Sequence, residues 1–233
     1  MPNITLVTLA GINGFNIGTQ VAQMTQPAGS DECGAYALVA ATGAFGNPPV
    51  AANTVIAYNG NNQLLSPADN FHQLATKVYV LTGILNIQRL IDQRPIIPEL
   101  VAANGYNSPA ALAQVAMTLG RAVTVNATQA GFALLNPLYP GEYARCVGVV
   151  GAGSVHVGTG MAPVNYAAPQ PGETHIISVQ NGGGGLHMLA RGSDGNYYDP
   201  GNGSLGNTWG DPTLPGFNAA SGYTFAGLWL VLS

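Results

Sequence analysis

A cysteine, a histidine and an aspartate, widely separated along the chain, sit in local contexts that suit acyl-transfer chemistry. Cys33 follows a turn-rich stretch, residues 23–32 (QMTQPAGSDE), and opens the run CGAYALVAATGAF, which reads as a helix. A thiol at that position lies beside backbone N–H groups without intrahelical acceptors and at the positive end of the helix dipole, which stabilises a thiolate. Gly34 is expected to leave space beside the sulfur for a substrate carbonyl, and Tyr36 to Val39 to anchor the helix in the core. Asp31 and Glu32 would oppose a thiolate if they faced the sulfur. If they faced the N–H groups instead, they would cap the helix. The plain alternative is a small buried hydrophobe, the usual fate of a cysteine in an Ala-rich helix.

His187 lies in GGGGLHMLARGSDGNYYDPGNG, which reads as strand, tight turn, strand, with GSDGN as the hairpin signal. Pairing LHMLAR with NYYDP puts His187 opposite or diagonal to Asp199. A carboxylate there can accept the imidazole proton and hold one tautomer, as the third member of a triad does. Asp199 also stands just before Pro200, where the chain must leave the ladder. The four glycines at 182–185 are expected to let neighbouring backbone approach, as an open substrate groove requires. The other reading of the pair is a hairpin whose aspartate caps a turn and whose histidine is packed.

The remaining candidates are weaker. His175, in THIISVQN, is an alternative base, but only Asp194 follows it at hairpin distance, and that residue reads as part of a turn. His72 and His156 read as structural or exposed. The histidines show no HxxxH or HxH spacing and the two cysteines fit no four-ligand zinc pattern, so no metal or other cofactor is expected. No Gly-Lys-Ser/Thr accompanies the glycine runs, and Ser154 in GAGSVHVG lacks the glycine of a nucleophile elbow. Trp209 and Trp229 read as core and loop anchors. Cys33 and Cys146 could instead form one disulfide, which would consume the nucleophile and leave a non-catalytic interaction module.

The elements that must position these residues follow from the bulk and the punctuation of the chain. At 233 residues, 47% of them apolar, it is long enough for one substantial core. Only 7% of residues are charged, against about 25% usually, a composition that suits a secreted or assembled protein. The net charge is −4 and the six basic residues (Lys77, Arg89, Arg94, Arg121, Arg145, Arg191) are scattered, which argues against nucleic-acid binding. No run approaches the roughly 18 apolar residues of a membrane span. The N-terminus lacks a basic n-region, so export is expected by a route without a signal peptide, and a cytoplasmic setting stays open.

Residues 3–10 (NITLVTLA) read as a strand, and 46–63 as a loop with one short strand. Ser66-Pro67-Ala68-Asp69 predicts a helix start, with Gly83 as its stop. A shorter helix is predicted near Pro98, and Ser108-Pro109 with Gly120 repeats the same punctuation. After Arg121 the runs RAVTVNAT, YARCVGVVG, THIISVQN, GLHMLAR, NYYDP and YTFAGLWLVLS read as strands. Helices first and strands second predict α+β, a helical lobe packed on an antiparallel sheet. The long turn-rich stretches 160–173 and 201–221 read as cleft-lining loops or irregular surface.

DECGAYAL resembles the nucleophile segment of papain-like cysteine peptidases. HMLARGSDGNYYDPGNG is similar to the His–hairpin–Asp segment of bacteriocin-processing and bacterial effector cysteine peptidases, and the order Cys, His, Asp matches as well. The resemblance implies that residues 1–233 form a single papain-like catalytic domain with Cys33, His187 and Asp199 as its triad. It also implies that a glutamine shortly before the cysteine, Gln26 in the first place and Gln23 in the second, helps hold the oxyanion. The implied partner is a protein or peptide, as substrate of an exported effector or toxin. The same machinery can hydrolyse a peptide bond, deamidate a glutamine or transfer an acyl group.

Overall fold

The computed structural model describes residues 24–45, 50, 52–58, 60–83, 85–86, 105–138, 141–207, 209–214, 217 and 222–233. The strand expected over 3–10, the helix expected near Pro98 and Gln23 lie outside the described residues.

Helix α1 (Cys33–Gly43) begins where the sequence predicts, and every one of its residues is buried. A helix apolar on all sides belongs in the interior, and its Ala-rich composition lets its neighbours approach closely. A hairpin follows, β1 (Thr54–Tyr58) and β2 (Asn61–Leu65), paired from Thr54↔Leu65 to Tyr58↔Asn61. Two strands therefore replace the one expected, turned at Gly60, whose φ of +81° suits glycine. Helix α2 (Phe71–Thr82) starts later than expected. Asn70 is the N-cap and closes a capping box with Gln73, whereas Ser66 and Asp69 make a turn in which the Ser66 N–H donates to Asp69. Gly83 ends the helix as expected.

The short strands β3 (Leu85–Asn86) and β4 (Gly105–Tyr106) pair with each other. Helix α3 (Pro109–Thr118) is capped by the Ser108 side chain, as its punctuation predicts. Then come β5 (Val123–Ala127), α4 (Gln129–Leu138), α5 (Glu142–Val150) and β6 (Val155–Val157). The strand expected over YARCVGVVG is instead helix α5. Its apolar β-branched residues favour a strand locally, but Glu142 and Cys146, one helical turn apart, are both buried. Glu142 accepts from the Ser108 hydroxyl and the Ala110 N–H, so tertiary capping of α3 overrides local preference.

The remaining strands are β7 (Thr174–Asn181), β8 (Leu186–Gly192), β9 (Tyr197–Asp199), β10 (Ser204–Gly206) and β11 (Tyr223–Leu232). Seven strands form one sheet in the order β10-β9-β8-β7-β11-β5-β6. It is antiparallel except for β5 and β6, which run parallel across the α4–α5 crossover. The architecture is α+β, as expected, with one parallel pair added. The inner face of the sheet (Ile176, Met188, Ala190, Tyr198, Leu230) joins α1, α2 and α3 in the main core. The outer face (Ile177, Val179, Leu189, Tyr197, Trp229) packs beneath Tyr166, Trp209 and Phe217. Trp209 and Trp229 are thus buried anchors.

Candidate active site

The turn before α1 sets where the sulfur sits. Ser30 N donates to Pro27 O across Gly29, whose φ is +74°, and Glu32 becomes the N-cap residue without a side-chain cap bond. The Glu32 side chain therefore does not take the capping alternative. The Asp31 carbonyl accepts from Asn107 Nδ2 at 2.6 Å, and one Glu32 carboxylate oxygen is buried without a partner. Burial pushes both carboxyls above their ordinary range, with His72 opposing it at Glu32. This favours their neutral forms and weakens their opposition to a negative sulfur.

Gly34 serves a different purpose from the one its neighbour suggested. A Cβ on it would lie 2.7 Å from Asn107 Cβ and 2.8 Å from the Met188 sulfur. The space beside Cys33 on that side is filled by the protein itself, and the glycine permits close packing of helix on sheet. The four glycines 182–185 likewise form a turn braced by Asn181 Oδ1, which accepts from Gly183 N and Gly185 N. Among the described residues, the nearest atoms to an added Cβ belong to Asn181 and Gln180, at the end of β7 that this turn closes.

The β8–β9 hairpin pairs Ala190 with Tyr198 and Arg191 with Tyr197, so Asp199 stands diagonal to His187. His187 Nε2 donates to Asp199 Oδ1 at 2.7 Å, and both residues are buried. The same oxygen accepts the Gly201 N–H at 2.8 Å, and an oxygen holding two donors is fixed in direction. With Nε2 committed to the carboxylate, Nδ1 is the ring's other nitrogen, and Cys33 lies close enough to act on the ring's charge. Burial works against a charged ring. The hydrogen bonds to Asp199 and Cys33, with the negative charge of both groups, outweigh it and raise the His187 pKa to about 10. The Tyr223 ring, 5.9 Å from the imidazole centroid, covers one side.

Two bonds tie the cysteine's loop to the aspartate's strand. The Tyr198 hydroxyl donates to Met24 O, and Gln26 N donates to Pro200 O at 2.9 Å. Gln26 is thereby held next to the Asp199 turn. Its Nε2 donates to Ser30 O at 3.1 Å, while its Oε1 is buried without a partner.

Sequence reasoning missed Tyr198, Asn107 and Gly201. The first two carry no local signal. Gly201 did carry one: extending the hairpin register past Asp199 sets position 201 opposite His187. A Cβ there would lie 3.2 Å from Asp199 Oδ1 and 3.6 Å from the imidazole Nε2.

The other candidates stand apart. His72 Nδ1 meets the Tyr36 hydroxyl, and His156 Nδ1 lies 2.9 Å from Asn126 Oδ1. His175 faces Tyr166 and sits four residues along β7 from Val179, the partner of His187, which is about 13 Å at ~3.3 Å per residue. Asp194 is a turn residue. Both thiols are free, so the disulfide alternative is not realised. Burial and the Glu142 charge push the Cys146 thiol far above the ordinary range, despite Arg145.

A cysteine at a helix start beside a charged, carboxylate-bound imidazole can open a carbonyl by thiolate attack. No curated protein and no solved structure matches the chain. The model of the family described as "Invasion plasmid antigen J, cysteine protease" matches residues 25–233, which span the cysteine, the histidine and the aspartate. The chain belongs to this family of effector cysteine proteases, in keeping with the papain-like resemblance of its sequence.

Proposed function

We propose that the protein cleaves peptide bonds through a triad of Cys33, His187 and Asp199. The observation that carries this reading is one buried imidazole whose Nε2 donates to Asp199 at 2.7 Å and whose pKa is raised by Asp199 and by Cys33, the residue that opens α1.

The Cys33 sulfur attacks the scissile carbonyl carbon, and the π electrons move onto its oxygen. The Cys33 N–H and the second Nε2–H of Gln26 hold that oxyanion, each donor worth about 3 kcal/mol. As the C–N bond breaks, the His187 imidazolium gives its Nδ1 proton to the departing amine. The neutral ring then takes a proton from water, whose oxygen attacks the thioester, and the sulfur leaves as thiolate. Asp199 keeps the proton on Nε2 throughout, which leaves Nδ1 free to shuttle.

Among the described residues no helix is long and apolar enough to cross a membrane. Together with the scarcity of surface charge and the effector family, this supports an exported effector whose substrate is a protein. Incubating wild type and Cys33→Ala with a denatured protein mixture, followed by mass spectrometry of new termini, tests the reading. Cleavage by wild type alone is expected. Glutamine-to-glutamate conversion without new termini would show deamidation instead, and equal activity in the variant would refute the nucleophile.

A further inference from the structure

The loop that delivers the nucleophile ends on a carbonyl held by a side chain 76 positions away, that of Asn107. Asn107 is 2% exposed and stands on a rigid base, between Thr82 at the end of α2 and the Ser108 cap of α3. Thr82 Oγ1 donates to Asn107 Oδ1 at 2.8 Å, and the Ser108 N–H donates to Thr82 O at 2.8 Å. Asn107 Nδ2 donates to Asp31 O at 2.6 Å. A backbone carbonyl only accepts, so the amide nitrogen must face Asp31 and the amide oxygen Thr82.

That bond decides where α1 begins. In a regular helix Asp31 O would accept from the Ala35 N–H, and Glu32 would be the first helical residue. Here Asn107 takes the carbonyl, and the first bond of the helix runs from Tyr36 N to Glu32 O at 3.1 Å. Glu32 accordingly has φ −81° and ψ 0°, against a helical ψ of about −42°. Because all of α1 is buried, a change at Glu32 moves the loop before the helix rather than the helix. Ser30 O, one residue upstream of Asp31, accepts from Gln26 Nε2 at 3.1 Å. Gln26 N is anchored on Pro200 O at 2.9 Å. The Asn107 bond therefore fixes the end of the loop from which the Gln26 amide is aimed.

We infer that Asn107 is a positioning residue for the oxyanion, setting the Gln26 side chain through the Asp31 and Ser30 carbonyls. The inference rests on the proposed triad and on Gln26 as oxyanion donor. Without the Asn107 donor, Asp31 O turns to the Ala35 N–H, Glu32 rotates toward a helical ψ, and the loop carrying Gln26 swings with it. Cys33 on α1 and His187 on β8 keep their places.

Asn107→Leu keeps the approximate shape of the side chain and removes its donor. On a peptide spanning a site that wild type cleaves in the denatured protein mixture, kcat is expected to fall ~10-fold or more, with KM within about twofold; an oxyanion donor is worth ~100- to 1,000-fold. Iodoacetamide alkylates sulfur by displacing iodide, with no oxyanion, so the rate at Cys33 is expected to stay within about twofold of wild type. A merely structural role would slow both reactions together. The Glu32 ¹³Cα shift, read by NMR without turnover, is expected to move toward helical values. Asn107→Ser decides if Asn107→Leu does not fold. An unmoved Glu32 shift, an unchanged kcat, or alkylation slowed as much as kcat would overturn the inference. Failure of the triad reading shows in wild type itself, as absent cleavage or an unreactive Cys33, whereas failure of this inference shows only between wild type and variant.

Discussion

Replacing Asp199 with asparagine isolates the charge from the geometry. Asp199 Oδ1 accepts two N–H groups, from His187 at 2.7 Å and Gly201 at 2.8 Å. Both neighbours donate, so an amide is expected to keep its oxygen in that place and its NH₂ at the other. What is lost is charge assistance. A hydrogen bond to a charged group contributes ~1.5–3 kcal/mol and a neutral one ~0.5–1.5 kcal/mol. The difference, ~1–1.5 kcal/mol, is about one pKa unit. The His187 pKa, raised to about 10, should fall by that unit. The raised value means that the charged ring stabilises the fold fully below about pH 6.5 and that this contribution disappears as pH climbs through 10. In Asp199→Asn the loss should set in about one unit lower. The ring stays charged at neutrality in both proteins, so kcat/KM should change little there while its alkaline limb moves down. Nitrogen-edited NMR of the imidazole across the alkaline range, beside a pH–rate profile on a generic peptide, measures both. An unmoved His187 titration would refute the reasoning.

Three further outcomes are expected. Gly201→Ala brings a Cβ to 3.2 Å from Asp199 Oδ1; displacement by a few tenths of an ångström should lower kcat about three- to tenfold, given ~100-fold per ångström of misplacement, with urea stability nearly unchanged. Gly34→Ala drives a methyl into Asn107 and Met188 and should cost ~1–3 kcal/mol in urea denaturation by overpacking. Tyr198→Phe leaves the buried Met24 carbonyl without its hydroxyl donor, at ~1–3 kcal/mol; amide exchange over residues 24–32 should rise if that bond holds the loop to β9.

The site was legible wherever a local signal coincided with a structural need. The turn before Cys33 delivers a helix, and GSDGN delivers a hairpin that sets Asp199 diagonal to His187. Long-range packing was not legible. Glycine 34 fits the reading of an open cleft as well as that of close packing, and only the position of Asn107, far along the chain, decides between them. YARCVGVV has the composition of a strand and becomes a helix because buried Glu142 caps α3. Tyr198 looks like any aromatic strand residue until its hydroxyl meets Met24.

Alkylation of Cys33 by iodoacetamide at neutral pH, located by mass spectrometry in wild type and His187→Ala, tests the proton partnership most directly. Both thiols are buried, Cys33 at 8% and Cys146 at 1% exposure, but the Cys146 thiol is held in the neutral form, so a single adduct, on Cys33, is expected to form rapidly in wild type and at least tenfold more slowly in the variant. Equal rates in the two proteins would contradict a sulfur activated by that imidazole.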